Sequence, residues 1–316
     1  MTLKDFFLFI PDLDSKSGLG HYFRCLKFLE FFKKKYRTYI LIKKNKTSVN
    51  LLSKTKYNKI IFFNNLESII KRFSNKENFF FIDSYDKKKI DLINHLTKNT
   101  ISTADNLVKL NTKYIVDHTF LRNKKDHERK NPNSIIYSNY LFFPFNNKKE
   151  KKIKKYIMIN FGTYNSKKDI LSVLSFITRN KLNLKYKILI IDKKFKLNLL
   201  NKDNLKNIDL IHYTNNLNKY YSKTFFCFGA CGISLYERSF YGIPSICKPI
   251  AKNQIYNYKN FLKKKCIIDF SSIIEDKEFT FRDFTDILKK TKKNLNFYFS
   301  PKKQMKQMNK LIKNIK

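Results

Sequence analysis

Two short runs carry the residue types and spacings that could do chemistry. The first is Gly18-Leu19-Gly20-His21-Tyr22-Phe23-Arg24-Cys25-Leu26, reached by a loop after the apolar stretch Phe7-Leu8-Phe9-Ile10. Tyr22, Cys25, Leu26, Leu29 and Phe32 recur at helical spacing, which places His21 at the start of an amphipathic helix. The positive end of the helix dipole disfavours an imidazolium there, leaving a neutral ring able to take a proton near pH 7. Gly18 and Gly20 let a ligand come close to the backbone. The run lacks both the spacing of a dinucleotide fingerprint and a GxxxxGKS/T phosphate loop, and on its own it also fits a plain turn into a helix.

The second run, Gly229-Ala230-Cys231-Gly232-Ile233-Ser234-Leu235-Tyr236-Glu237-Arg238, follows the strand-like Phe225-Phe226-Cys227-Phe228 and opens a helix expected to end near Tyr241-Gly242. Backbone N–H groups around Gly232 and Ile233 at such a helix start suit a diphosphate. About one turn further in, the Glu237 carboxylate is placed to accept hydrogen bonds from vicinal ribose hydroxyls; a surface Glu paired with a nearby Lys is the plainer alternative. Beyond Pro244-Ser245-Ile246-Cys247, the amides of Asn253 and Gln254 both donate and accept, which fits sugar hydroxyls, an acetamido group or a base edge as well as a solvated loop.

The elements that must position these runs are legible in the apolar pattern. Strand-like segments fall at about 5–10, 37–43, 59–63, 78–82, 99–102 and 114–116, and a second series at 156–160, 186–191, 208–213, 225–228, 244–247 and 266–269. Stretches of helical length, such as 167–178, separate them, so the pattern predicts two parallel-sheet α/β domains with right-handed crossovers. The break is expected in 146–155, where Asn-Asn-Lys-Lys-Glu-Lys-Lys-Ile-Lys-Lys interrupts the apolar rhythm. This gives domains 1–148 and 149–316, the second including a terminal helix from Pro301. All six glycines (Gly18, Gly20, Gly162, Gly229, Gly232 and Gly242) touch a predicted strand end. Ligands of open parallel sheets bind outside the carboxyl ends of the strands, so the expected architecture is two Rossmann-like domains facing across a cleft around a phosphorylated ligand.

Composition narrows the classes. A formal charge of +41 coexists with 42% hydrophobic and 16% aromatic residues, which excludes a disordered chain. Only eight of the 66 basic residues are Arg, and the lysines are scattered along the whole chain, which argues for a solvated surface and against dedicated nucleic-acid binding. No apolar run approaches the roughly 20 residues of a membrane span, and the start of the chain lacks a signal-peptide pattern, so a cytoplasmic protein without an integral span is expected. The tail carries Met305, Met308, Leu311, Ile312 and Ile315 at helical spacing, which fits a helix packed on a core or a basic helix on a membrane surface. Cys25, Cys227, Cys231, Cys247 and Cys266 imply no disulfide framework. No Asp/His cluster has metal-ligand spacing, and nothing in the chain speaks to its oligomeric state.

Taken in order, these pieces resemble the PseG family of the pseudaminic-acid pathway, relatives of the MurG-type glycosyltransferases. The run 18–26 is similar to that family's GxGHxxRCL signature, Ile82-Asp83-Ser84-Tyr85 to its D-x-Y, and 232–238 with Tyr241-Gly242-Ile243-Pro244-Ser245 and Asn253-Gln254 to its second-domain pattern. The resemblance implies a GT-B-like fold. It also implies hydrolysis of a UDP-linked 2,4-diacetamido-2,4,6-trideoxy sugar at the anomeric carbon without a covalent enzyme intermediate, with neither cofactor nor metal. His21 would be the base for water, and Gly18, Gly20, Arg24, Asp83, Tyr85 and Gly162 would line the sugar side. Cys231, Gly232, Ile233, Ser234 and Glu237 would hold UDP, with Asn253 and Gln254 contacting sugar or diphosphate. Asn160-Phe161-Gly162-Thr163-Tyr164-Asn165 departs from the family's Ser-Phe-Gly-Gly-x-Asp turn, and only Asp105 remains where relatives carry paired acids. Transfer of the sugar to an acceptor by a GT-B glycosyltransferase is the alternative.

Overall fold

Short strands whose successive residues all belong inside, with amphipathic helices between them, build two wholly parallel sheets. The structure is a computed structural model that describes residues 5–13, 20–33, 35–45, 48–49, 59–75, 77–139, 153–162, 167–197, 207–212, 214, 217–276, 278 and 281–315. The first sheet contains β1 (Phe6–Pro11), β2 (Arg37–Lys43), β3 (Ile60–Phe63), β4 (Phe79–Asp83), β5 (Thr100–Thr103), β6 (Tyr114–Val116) and β7 (Ile135–Tyr137), in the order β3-β2-β1-β4-β5-β6-β7. The second contains β8 (Tyr156–Asn160), β9 (Lys187–Ile191), β10 (Ile208–Ile211), β11 (Thr224–Ala230), β12 (Ser245–Lys248) and β13 (Ile268–Asp269), in the order β10-β9-β8-β11-β12-β13. Both sheets share the doubly wound order, with the direction of winding reversing between β1 and β4 and between β8 and β11. The principal helices are α1 (Gly20–Phe32), α2 (Leu66–Phe73), α3 (Lys87–Leu96), α4 (Lys167–Arg179), α5 (Ile233–Phe240), α6 (Ile255–Lys263), α7 (Phe281–Tyr298) and α8 (Pro301–Asn314). The strand β7 goes beyond the sequence expectation; three residues are too few to show a period.

Alternation along β1 shows how the layers form. Phe7 and Phe9 point into a cluster with Tyr22, Cys25 and Phe28 of α1, whereas Leu8 and Ile10 face Ile70 of α2 and Ile90 and Ile93 of α3. In the second sheet Ile157 and Ile159 meet Ile170 and Val173 of α4 and Phe284 of α7, and Met158 faces the opposite layer with Cys227 and Tyr221. Two glycines are dictated by geometry. A Cβ on Gly229 would stand 2.3 Å from the Asn160 carbonyl of the paired strand, and Gly162 turns the chain at φ +76°.

The described residues to 139 form one compact unit, and 153–303 form the other. The expected break between 148 and 149 lies outside the described residues. The last helix departs from expectation: from Gln304 onward the chain belongs to the first unit, not the second. Met308, Leu311 and Ile315 are buried in the same cluster as Phe7, Phe9 and Tyr22, because the first sheet leaves an apolar face beside α1 that the tail completes. That packing uses the apolar face a membrane-surface helix would need. No helix among the described residues is long and apolar enough to cross a membrane. Leu311→Ala is expected to cost the protein about 2–5 kcal/mol of stability. In native-state hydrogen exchange, amides of β1 and α1 should lose protection, while those of β8 and β11 should not.

Candidate active site

In each unit most of the singled-out residues follow the two strands that flank the reversal in sheet order, while Asn253 and Gln254 follow β12. In the first, β1 leads to α1 and β4 ends at Asp83, whose Cα pairs with Pro11. Gly20 is the first residue of α1 and His21 the second, while Gly18 lies outside the described residues. His21 Nδ1 lies 2.6 Å from Asp83 Oδ1, with both side chains buried. Arg24, one turn further along α1, donates from Nε to Asp83 Oδ2 at 2.7 Å and from Nη2 to Oδ1 at 2.6 Å. Thr103, at the end of β5, donates to the same Oδ1 at 2.9 Å.

Electrostatics decides the proton positions. Burial alone would raise the Asp83 carboxyl, but the Arg24 cation and the His21 contact outweigh it and hold the group well below the usual carboxylate range. Beside an ionised Asp83 the contact at His21 Nδ1 is satisfied by the tautomer that carries its hydrogen there and its lone pair on Nε2, and Arg24 Nη2 also lies 3.0 Å from Nδ1. Among the described residues nothing is hydrogen-bonded to Nε2. His21 stands at the start of α1 as expected, and a buried carboxylate orients its ring as well. Tyr85 packs its ring edge-on to His21 at 4.6 Å while remaining 48% exposed, and its hydroxyl donates to Asp105 Oδ2 at 2.5 Å.

Arg24 was expected among the ligand contacts, yet it is buried and each guanidinium nitrogen has a protein partner. Nη1 lies 3.5 Å from Asp105 Oδ2 and 3.3 Å from His118 Nε2. Burial works against this cation, but Asp83 and Asp105 overcome it and hold its proton more firmly than usual. Asp83, expected on the sugar side, is 1% exposed and touches His21, Arg24 and Thr103. Asp105 and His118 thus join the constellation, though sequence reasoning put neither among the site residues. Their positions directly after β5 and β6 were the available signal.

In the second unit Gly162 follows β8, and Cys231 and Gly232 follow β11. Gly232 caps α5 without any side-chain capping bond, so the first N–H groups of that helix, Ile233 and Ser234 among them, have no cap to satisfy them. Ser234 Oγ accepts from Arg238 Nη1 at 3.0 Å, and Arg238, fully buried, also donates to Ser245 Oγ at 3.1 Å and to the Ala230 carbonyl at 2.8 Å. One buried guanidinium therefore ties the end of β11 to α5 and to β12. The Cys231 N–H donates to Gln254 Oε1 at 3.2 Å, as does the Ile250 N–H at 3.1 Å, so the Gln254 side chain braces the same loop with its Nε2 beside Gly232. Asn253 is exposed. Glu237 is half-buried and accepts from the Tyr221 hydroxyl at 3.1 Å.

With this geometry in hand, comparison with known proteins is informative about the fold. No protein-family model matches the chain, and no curated protein sequence matches it. Solved structures do match over nearly the whole length. UGT2 of Phytolacca americana, complexed with UDP-2fluoro-glucose and pterostilbene, superposes with a TM-score of 0.68 at 11% identity, covering 99% of this chain and 100% of that one. MurG of Acinetobacter baumannii matches with a TM-score of 0.63 at 12% identity over 98% and 100% of the two chains. A UDP-glucose: anthocyanidin 3-O-glucosyltransferase in complex with UDP matches with a TM-score of 0.63 at 12% identity, over 100% and 99%. The chain has the GT-B fold, two parallel-sheet α/β domains of the kind found in these glycosyltransferases.

The buried cluster predicts a pH dependence of stability. Burial and the Arg24 cation push His118 down from 6.5 to about 4, so between those values the unfolded chain binds a proton that the native protein does not. Stability should therefore fall as pH drops through that window, by up to about 3 kcal/mol. Urea unfolding from pH 7 to pH 4 should show a shallower decline in His118→Asn than in the wild type; parallel profiles would refute the assignment.

Proposed function

We propose that the protein is a UDP-sugar-dependent enzyme that transfers the sugar from UDP to an acceptor hydroxyl, with His21 as general base. One observation carries this reading: His21 has Nδ1 committed to a buried carboxylate, leaving Nε2 as the acceptor of a proton. The GT-B fold, and neighbours whose structures hold UDP or a UDP-sugar, support the choice of donor.

In this mechanism the acceptor oxygen attacks the anomeric carbon as the bond from that carbon to the UDP oxygen breaks. The acceptor proton passes to His21 Nε2, and the Asp83 carboxylate stabilises the imidazolium that forms. UDP departs as an anion facing the open N–H groups of α5 at Ile233 and Ser234, with Gly232 permitting close approach. Glu237 takes the ribose hydroxyls, and Asn253 and the Nε2 end of Gln254 take polar groups of the sugar or diphosphate. Tyr85, exposed beside His21, contributes an aromatic face to the sugar side.

Hydrolysis is the second reading, favoured by a specific observation. Four residues of the hydrolase-like runs, His21, Arg24, Asp83 and Tyr85, form one contiguous constellation. The same base then serves water instead of an acceptor, and the substrate is a UDP-linked diacetamido-trideoxy sugar. UDP release from a panel of UDP-sugars, with and without sugar or peptide acceptors, separates the two. Acceptor-dependent release is expected for transfer, and full turnover without acceptor for hydrolysis. In either case His21→Ala should lower turnover by roughly 10²–10⁴-fold while UDP affinity is unchanged. Wild-type turnover in that variant would overturn the assignment.

A further inference from the structure

The amino-terminal ends of β8, β9 and β11 gather lysines away from any residue used above. Lys155 and Lys187 precede or open their strands, and the Lys155 N–H donates to the Lys223 carbonyl at 2.7 Å while the Lys187 N–H donates to the Lys155 carbonyl at 3.0 Å. These backbone bonds fix three lysines side by side, and with Lys154 and Lys185 they line a shallow concavity whose sixth member is Ile153. Ile153 is 91% exposed and Leu184, next to Lys185 in the chain, is 75% exposed, the two highest values among the large apolar side chains of the described residues.

Scattered lysine explains basic surface anywhere on a chain of this charge, but it does not explain Ile153 held in water within the basic patch, with a second exposed aliphatic side chain, Leu184, adjacent in the chain to Lys185. Burying such tips is favourable only against an apolar medium, and the neighbouring lysines fit a medium whose boundary is negative; of these, Lys187 Nζ lies 4.0 Å from Asp209 Oδ1 and Lys154 donates to the Ser222 carbonyl at 3.1 Å. We propose that this edge of the second unit docks on an anionic lipid surface, with Ile153 and Leu184 entering the headgroup boundary and the lysines reaching lipid phosphates. Nucleic acid fits less well, because the patch presents neither Arg forks nor exposed aromatic rings for bases to stack on. The patch lies at the opposite ends of the strands from Gly162 and Gly232, so within this unit docking leaves the carboxyl-end loops uncovered.

The test is co-sedimentation of the full chain with vesicles of phosphatidylglycerol and phosphatidylcholine, compared with phosphatidylcholine alone. The wild type should bind only the anionic vesicles, with affinity falling as salt rises. Lys155→Gln/Lys185→Gln/Lys223→Gln should lower the partition coefficient by roughly a hundredfold. The pair Ile153→Asp/Leu184→Asp, at positions too exposed to disturb folding, should also weaken it. A control with equal charge loss elsewhere, Lys292→Gln/Lys293→Gln/Lys306→Gln, should bind as the wild type does. The proposal is overturned if the wild type ignores anionic vesicles, if the control loses as much as the patch variant, or if the aspartate pair has no effect. It is equally overturned if single-stranded RNA displaces the vesicles and the patch variants lose RNA affinity instead.

Discussion

The first unit is organised around one buried carboxylate. Asp83 has lost its water and is stable as an anion only because three side chains from two elements converge on it: His21 and Arg24 from α1 and Thr103 from β5. Breaking a pair of this kind strands the opposite charge, at about 3–5 kcal/mol, so Arg24 and Asp83 constrain each other. Because His21 and Arg24 are three residues apart on a helix, they share a face, and whatever holds the guanidinium also holds the imidazole. The orientation of the proposed base is thus a by-product of satisfying a charge the fold has buried.

The second unit solves a related problem without an acid in direct contact. Arg238 is buried, and its donors go to the Ala230 carbonyl at the end of β11, to the Ser234 hydroxyl in α5, and to the Ser245 hydroxyl and Cys247 sulfur in β12. Gln254 closes the same loop from the other side through two backbone N–H groups. The loop is thereby held by side chains from α5 and from the segment after β12, while the start of α5 receives no side-chain cap. An uncapped, rigidly held helix start leaves its donors available to an anion without a reorganisation cost.

Much of this was legible along the chain. Twelve of the strands follow from apolar runs of strand length, and with few glycines to spare, those present mark strand ends where a side chain is not tolerated. Gly229 is the clearest case, since the clash with the Asn160 carbonyl depends only on two neighbouring strands in register. The helix starting at His21 was readable from the spacing of Tyr22, Cys25, Leu29 and Phe32.

What spacing alone could not assign was the partner of each polar group. Asp83 and Tyr85 looked alike as sugar-side residues, but one is sealed against Arg24 and the other stands exposed, a difference set by sheet register across about sixty residues. The contact between His118 and Arg24 joins residues 94 apart in the chain, and only the placement of the segment after β6 brings them together. The tail helix could be recognised as amphipathic, yet which core its apolar face completes depended on where the first sheet left a gap. Local sequence determined the elements and the chemistry each could offer, because period, turn and capping act within a few residues. Tertiary structure decided which charges are buried together, because desolvation and long-range pairing exist only once the sheets have formed.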